Sequence, residues 1–229
     1  MQQNFFTKKS LGVFNIVWIL FITSSLLFVL FPQIDLYISS LFYYAKEGFS
    51  TNGTWYEKLL YDSVKPVVAI AAALPILIWF YNLASKKNLL HVNAKVVLYA
   101  LLVLAIGPGI IVNDIFKEHW GRARPAQTVE FGGKLEFTPA FVISDQGGYS
   151  FSCGHAAGAF FLLSLALLAK RKKAFWITLA SAYGIAISYI RIAAGGHYLS
   201  DTVVSFFIVF IVSLMLHHFI FKDKTYETS

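Results

Sequence analysis

The sequence predicts an all-α, polytopic membrane protein with six transmembrane helices. Composition is the first observation, because 57% of the 229 residues are hydrophobic and only 14% are charged. Soluble domains average about 45–50% apolar and about 25% charged residues. The second observation is that the apolar residues fall into six runs separated by charged or Gly- and Pro-containing breaks. The third is that most basic residues flank these runs.

The six runs define a single membrane domain that covers residues 1–229. A helix needs roughly 20 apolar residues to cross about 30 Å of hydrocarbon, so each run accounts for one crossing. The fourth run is short, and the polar residues at its N-terminal end are expected to face protein. The predicted spans are residues 11–31, 64–84, 96–116, 154–169, 174–194 and 201–221.

Two connections are long enough to hold structure, residues 32–63 and residues 117–153. The first contains aromatic residues of the kind that concentrate at membrane interfaces, Tyr43, Tyr44, Trp55 and Tyr56. We therefore expect an interfacial helical segment that lies on the membrane in this first outward loop.

The distribution of basic residues predicts the orientation. Six helices place both termini on one side, and eleven of the nineteen Lys and Arg residues fall on that side: Lys8, Lys9, Lys86, Lys87, Lys95, Lys170, Arg171, Lys172, Lys173, Lys222 and Lys224. The positive-inside rule therefore predicts cytoplasmic termini. These flanking residues and an anionic site explain the net charge of +7, so we expect no nucleic-acid partner.

The first polar cluster lies where the third span ends on the outward side. It contains the cations Lys117, Arg122 and Arg124. A single cation at this depth more often extends toward lipid headgroups than serves a reaction. The clustering of three cations weakens that structural interpretation.

The second polar cluster is Ser152, Cys153, Gly154 and His155, at the outward start of the fourth span. A Ser- and Gly-rich turn that opens a helix presents free backbone N–H groups and the positive helix end, which suits a phosphate. The structural alternatives are a helix cap at Ser152 and a packing histidine at His155. Cys153 is the only cysteine, so no intramolecular disulfide can form.

The third polar cluster contains Arg191, His197 and Asp201, in the outward turn between the fifth and sixth spans. If His197 to Asp201 begins a helix, the two side chains share one face. A carboxylate can accept a hydrogen bond from one imidazole nitrogen and leave the other free to attack. A purely structural His–Asp pair is the alternative.

All three clusters fall on the same predicted side, although they come from different helices. If the clusters were unrelated, the structural interpretation of each one would have to be correct independently. A single shared site explains all three clusters together. An anion site with several cations, backbone donors and two histidines indicates phosphoryl transfer through a histidine.

These residues resemble the type 2 phosphatidic acid phosphatase superfamily, whose motifs are Lys-x6-Arg-Pro, Pro-Ser-Gly-His and Ser-Arg-x5-His-x3-Asp. Lys117 through Arg124-Pro125 fits the first motif. The second motif has Cys153 in place of its Ser and Ser152 in place of its Pro. Arg191, His197 and Asp201 fit the third motif, with Ile190 where the family usually has Ser.

The resemblance implies a role for each matching residue. His197 would be the nucleophile, Asp201 would hold it, and His155 would transfer protons to the leaving group and from water. The phosphate oxygens would be bound by Lys117, Arg124, Arg191, the Gly154 N–H and the side chain of Cys153, with Ser152 compensating for the weaker thiol donor. The family needs no metal or other cofactor, and the acidic residues here have no metal-ligand spacing.

Local similarity outside these motifs narrows the expected substrate. Gly107-Pro108-Gly109 and residues 117–125 and 137–144 resemble bacterial lipid A phosphatases, nearest to those acting at the 4′ position. The resemblance implies a phospholipid or glycolipid substrate in the bilayer, a bacterial inner-membrane location and a periplasmic active site. Additional substrate contacts are expected at His119, Trp120 and Arg122.

Other functions stay open at this point. Relatives with the same motifs hydrolyse undecaprenyl pyrophosphate or phosphatidylglycerophosphate, and vanadium haloperoxidases share the anion pocket but are mostly soluble. A six-span anion transporter would also use a basic outward cluster. That alternative gives no reason for the spacing between His197 and Asp201. The sequence does not predict the oligomeric state.

Overall fold

Helices make up most of the structure, a computed structural model that describes residues 5–221. Their bounds are α1 Asn15–Leu30, α2 Gln33–Ser40, α3 Trp55–Ser85, α4 Ala94–Leu104, α5 Gly154–Leu167, α6 Lys173–Ala193 and α7 Leu199–Phe221. Helix α4 continues with π-type turns through Ala105–Lys117. Two short antiparallel hairpins pair β1 Lys9–Ser10 with β2 Val13–Phe14, and β3 Tyr43–Tyr44 with β4 Gly48–Phe49. The predicted all-α class is confirmed.

Four helices are long and apolar enough to cross a membrane: α3, α4 with its extension to Lys117, α6 and α7. Helices α1 and α2 reach the required length only together, with a bend of 85° between them. Pro32 follows Phe31 at this bend, and a residue that precedes proline is driven out of the helical region. The protein is therefore a polytopic membrane protein, whereas the count of six crossings stays a prediction.

The first long connection differs in part from the sequence-based expectation. Helix α3 begins at Trp55, where the Thr54 hydroxyl accepts a hydrogen bond from the N–H of Glu57, and not near residue 64. Helix α2 buries Asp35 and Ser39 completely, so its polar face packs into the protein. Lys222 and Lys224, which support the predicted orientation, lie outside the described residues.

Helix α5 lies in the centre and contacts α3, α6 and α7. Its first turns contain the buried small residues Ala156, Ala157 and Ala159. At Gly184 of α6 an added Cβ would come within 2.3 Å of the Phe160 ring, so the missing side chain allows α5 and α6 to approach closely. This packing surrounds the N-terminal end of α5 with the ends of three other helices.

Candidate active site

The three polar clusters meet at one end of this helix bundle. His155 lies in the first turn of α5, Arg191 in the last turn of α6 and Asp201 in the first turn of α7. His197 lies in the short turn that joins α6 to α7. The helix ends therefore bring together residues as far apart in the sequence as His155 and Asp201.

His197 is almost completely buried, and its imidazole is held by a short hydrogen bond. Its Nδ1 lies 2.7 Å from the carbonyl oxygen of Ser150 and 3.5 Å from Oδ2 of Asp201. A carbonyl oxygen can only accept, so Nδ1 carries the proton and donates it to Ser150. The neutral ring therefore has its lone pair on Nε2, the nitrogen that is left for nucleophilic attack.

Asp201 is fully buried, and hydrogen bonds hold both oxygens of its carboxylate. Oδ2 accepts from the Ser150 hydroxyl at 2.6 Å and from the Tyr198 N–H at 2.8 Å. Oδ1 accepts from Nη1 of Arg122 at 2.6 Å. Ser150 thus contacts the histidine through its carbonyl and the aspartate through its hydroxyl, and it shares the orienting role that the sequence assigned to Asp201.

Arg122 lies inside the protein, with a fully buried side chain. Its Nη2 is 2.8 Å from Oδ2 of Asp35, and its Nε donates to the Thr138 carbonyl at 2.7 Å. Nη1 also donates to the Ser200 hydroxyl at 2.9 Å. Burial acts to lower the pKa of this guanidinium, but Asp201 and Asp35 outweigh it and raise the pKa. The expected substrate contact at Arg122 is therefore corrected, because a buried and fully paired guanidinium is closed to a substrate.

Arg191 lies beside the histidines, although its guanidinium already has partners. Its Nη1 is 3.2 Å from Oε1 of Glu57, and its plane lies 4.7 Å from the centre of the Tyr61 ring. Its Nε is buried without a hydrogen-bond partner among the described residues. A Cβ at Gly196 would come within 2.1 Å of Nη2, so only glycine leaves space for this side chain. Arg191 therefore keeps a donor for an additional acceptor such as a phosphate oxygen.

Lys117 and Arg124 extend the positive charge of the site. Both side chains are half-buried. Lys117 ends the extension of α4, and the charges of Arg124 and Arg191 act on it. Because the charges of these three cations act on one another, the site favours an anion between them.

His155 stacks on Tyr61, with 4.1 Å between the ring centres. It is half-buried, and the positive charges of Arg191 and Lys117 act on it. No hydrogen bond to its ring nitrogens occurs within residues 5–221, unlike the anchored ring of His197. His155 is thus positioned by stacking, which leaves its nitrogens free to exchange protons.

Cys153 caps α5, and its sulfur accepts a hydrogen bond from the Ala156 N–H at 3.4 Å. The fully buried thiol is also close enough to His197 for the charge of the imidazole to act on it. Burial acts to raise the pKa of the thiol, but His197 and Arg191 outweigh it and the pKa falls. For His197 burial acts to lower the pKa, whereas Cys153 and Asp201 raise it above its ordinary value. Each side chain therefore shifts the pKa of the other, lowering that of the thiol and raising that of the imidazole.

The turn that precedes α5 contains two further predicted residues. At Gly154 an added Cβ would come within 2.7 Å of Oδ1 of Asn113, so this position needs glycine. The Ser152 hydroxyl is buried and has no hydrogen-bond partner among the described residues. Ser152 and Arg191 therefore each have a buried donor without an acceptor. Leaving a buried donor unpaired costs free energy, so an acceptor that binds in the site is favoured.

His119 and Trp120 are not brought together with these residues. His119 is exposed, and Trp120 packs against Phe116 and Phe151 with ring centres 4.9 Å and 5.4 Å away. Trp120 thus contributes to the packing beside the site, and its expected contact with the substrate stays a prediction.

Within residues 5–221 no group of three or more His, Cys, Asp or Glu side chains has an arrangement that would hold a metal ion.

Sequence reasoning missed four residues that shape the site: Asp35, Glu57, Tyr61 and Ser150. The sequence does contain one indication of the role of Asp35. An acidic residue within an apolar stretch of a membrane protein is costly unless it is paired, so a buried partner could have been expected. Glu57 and Tyr61 lie on polar turns of α3 that a search for apolar runs leaves out. Ser150 acts partly through its carbonyl, a group that every residue has.

The fold is that of a polytopic membrane protein, and the comparisons with known proteins identify the chain as a phosphatase. The PAP2 superfamily profile matches residues 96–225, which include every predicted catalytic and phosphate-binding residue. The chain belongs to the PAP2 superfamily.

Curated relatives are similar over most of the chain. A lipid A 4′-phosphatase of Francisella tularensis subsp. novicida is 30% identical over 213 residues, covering 87% of this chain and 91% of that protein. A lipid A 4′-phosphatase of Rhizobium etli is 31% identical, with 85% and 82% covered. One of Rhizobium leguminosarum is 32% identical, with 76% and 81% covered. No solved structure matches the chain.

Proposed function

We propose that this protein is a lipid phosphatase that removes the 4′-phosphate of lipid A through a phosphohistidine at His197. The observation that carries the mechanism is the 2.7 Å contact between Nδ1 of His197 and the Ser150 carbonyl. This contact fixes the tautomer in which Nε2 is unprotonated and directs that nitrogen away from the anchoring groups. A histidine that only packs would need no fixed tautomer.

In the first step the Nε2 lone pair attacks phosphorus while the bond from phosphorus to the leaving oxygen breaks. His155 gives its proton to the leaving alkoxide, which departs as an alcohol. Lys117, Arg124 and Arg191 neutralise the charge on the phosphoryl oxygens as the bonds change. Asp201 and the Ser150 carbonyl stabilise the positive charge that develops on the ring of His197.

In the second step water breaks the bond between Nε2 and phosphorus. His155, now neutral, takes a proton from the water while the water oxygen attacks phosphorus. Inorganic phosphate leaves, His197 returns to its neutral state and His155 is protonated again. The two histidines therefore need different environments, and one is anchored while the other is stacked.

The curated relatives support lipid A as the substrate, since three lipid A 4′-phosphatases are about 30% identical to this chain over most of its length. The connection from Glu118 to Cys153 supplies space for a bulky sugar headgroup near the site, because it contains two short 3-10 helices and no long helix. The predicted orientation places this connection, and with it the reaction, on the periplasmic side of a bacterial inner membrane.

The test is phosphate release by the purified protein from three substrates: lipid A, undecaprenyl pyrophosphate and phosphatidylglycerophosphate. Mass spectrometry locates the lost phosphate, and His197→Ala is the matched inactive variant. We expect preferential loss of the 4′-phosphate of lipid A. Preference for either of the other two lipids would contradict lipid A as the substrate, but it would be consistent with the proposed mechanism. No release from any substrate would favour the anion transporter.

A further inference from the structure

The end of the bundle opposite the candidate active site contains a large apolar cavity of about 1200 Å³. Its walls include Ile70 and Leu74 of α3, Leu165 of α5, Trp176 of α6 and Phe221 of α7. The same helices present their other ends to the catalytic residues. The cavity is therefore separate from the site described above.

The short length of α5 explains this cavity. Fourteen residues give a helix of about 21 Å, whereas the hydrocarbon layer is about 30 Å thick. The residues that follow its last residue, Leu167, line the cavity together with residues of α3, α6 and α7. Small-molecule sites typically measure roughly 300–1,000 Å³. The volume therefore suits the chains of a lipid better than a small polar metabolite.

The mouth of the cavity is strongly basic. Lys170, Arg171 and Lys173 line it, all three are exposed, and none forms an ion pair with any described residue. Cations next to an apolar surface at the membrane interface attract anionic headgroups. The positive charge at the mouth therefore favours anionic lipids over neutral lipids with the same acyl chains.

The N-terminus of α6 adds a second feature that suits an anion. Helix α6 begins at Lys173, its N-cap Lys172 makes no side-chain hydrogen bond to it, and its first turn contains no acidic residue. The first N–H groups of the helix therefore lack a capping acceptor at the edge of the cavity. A phosphate oxygen supplies such an acceptor and interacts favourably with the helix dipole.

We propose that this cavity binds an anionic phospholipid, with its acyl chains among the apolar walls and its phosphate between Arg171, Lys173 and the start of α6. The ligand is a structural lipid of the leaflet at that end and is not a substrate. Trp176, which is about half exposed on the same turn, lies where an interfacial aromatic contacts the glycerol region. The inference does not depend on which phosphate the enzyme removes.

The test uses the full-length protein, freed of lipid in mild detergent and titrated with palmitoyl-oleoyl phosphatidylglycerol or with phosphatidylcholine of the same chains. Native mass spectrometry counts the lipid that stays bound. We expect one phosphatidylglycerol to bind at least tenfold more tightly than phosphatidylcholine. Arg171→Gln combined with Lys173→Gln should remove this preference.

The matched control is Lys86→Gln combined with Lys87→Gln, which removes the same charge at the same end but outside the cavity. This control should keep the preference. Ala169→Trp, which fills the cavity from its lining, should weaken binding of both lipids while circular dichroism stays unchanged. Equal affinity for the two lipids, or the same loss in the control as in the double variant, would overturn the proposal.

Discussion

Arg122 and Asp35 form a fully buried ion pair, with 2.8 Å between Nη2 and Oδ2, although 87 residues separate them in the sequence. The same guanidinium donates to Asp201 at 2.6 Å. Helix α2 is thereby connected to the carboxylate that lies beside the nucleophile. The pair gives the first connection of the chain a role in positioning the site.

Replacing Arg122 with Gln should destabilise the protein strongly. The change leaves the carboxylates of Asp35 and Asp201 buried without a cation, which typically costs about 3–5 kcal/mol. Chemical denaturation in detergent measures the loss, and Lys46→Gln at an exposed position should change the free energy of unfolding by less than about 0.5 kcal/mol. A raised KM with unchanged stability would instead indicate that Arg122 contacts the substrate.

Replacing Gly196 with Ala should reduce activity with little effect on stability. The new Cβ would meet Nη2 of Arg191 at 2.1 Å, so the end of that flexible side chain must move. We expect a loss of about tenfold or more in kcat/KM, since a displaced phosphate contact costs transition-state stabilisation. The control is Gly107→Ala, where the nearest atom is 3.6 Å away and contact is ordinary. Equal activity in the two variants would contradict the assigned position of Arg191.

The pH dependence of kcat/KM should show an acidic limb above pH 6.5, the ordinary pKa of histidine. His197 must be neutral to attack, and its pKa is raised by Cys153 and Asp201 against the opposing effect of burial. Activity is therefore lost as the pH falls through this raised value. Rates measured from pH 5 to pH 9 locate the limb.

Replacing Cys153 with Ser should move that limb to lower pH, because a hydroxyl does not ionise and gives the imidazolium less support. Activity at neutral pH should be unchanged or higher. His119→Gln, at an exposed histidine, should leave the limb in place. An unshifted limb in Cys153→Ser, or abolished turnover in a folded variant, would contradict the assigned contact between thiol and imidazole.

The sequence predicted the helices well where the signal is local. Continuous apolar runs identify the cores of α4, α6 and α7 because apolar length alone decides whether a helix suits the membrane. Helix α3 begins at Trp55, before the predicted span 64–84, and its first turns contain polar residues such as Glu57 and Lys58. Periodicity and hydrophobicity cannot separate such turns from a loop.

The sequence proposes reactive residues for the candidate site but gives no indication of the groups that hold them. Spacing motifs place His155, His197 and Asp201 because the chemistry requires those side chains. The partners that hold them follow from tertiary contacts, such as Asp35 with Arg122, or from backbone groups such as the Ser150 carbonyl. Neither kind of contact can be predicted from the types of residue in the sequence.

The most direct test of the mechanism is to trap the phosphorylated enzyme. His155→Ala lacks the group that activates water in the second step, so the intermediate should accumulate when the variant is mixed with p-nitrophenyl phosphate, whose leaving group departs without a proton from His155. Mass spectrometry of rapidly quenched, digested protein under alkaline conditions then locates the phosphate. We predict an acid-labile phosphoryl group on His197, absent in His155→Ala combined with His197→Ala. Persistent phosphate release by His197→Ala, or a phosphoryl group on another residue, would contradict the account.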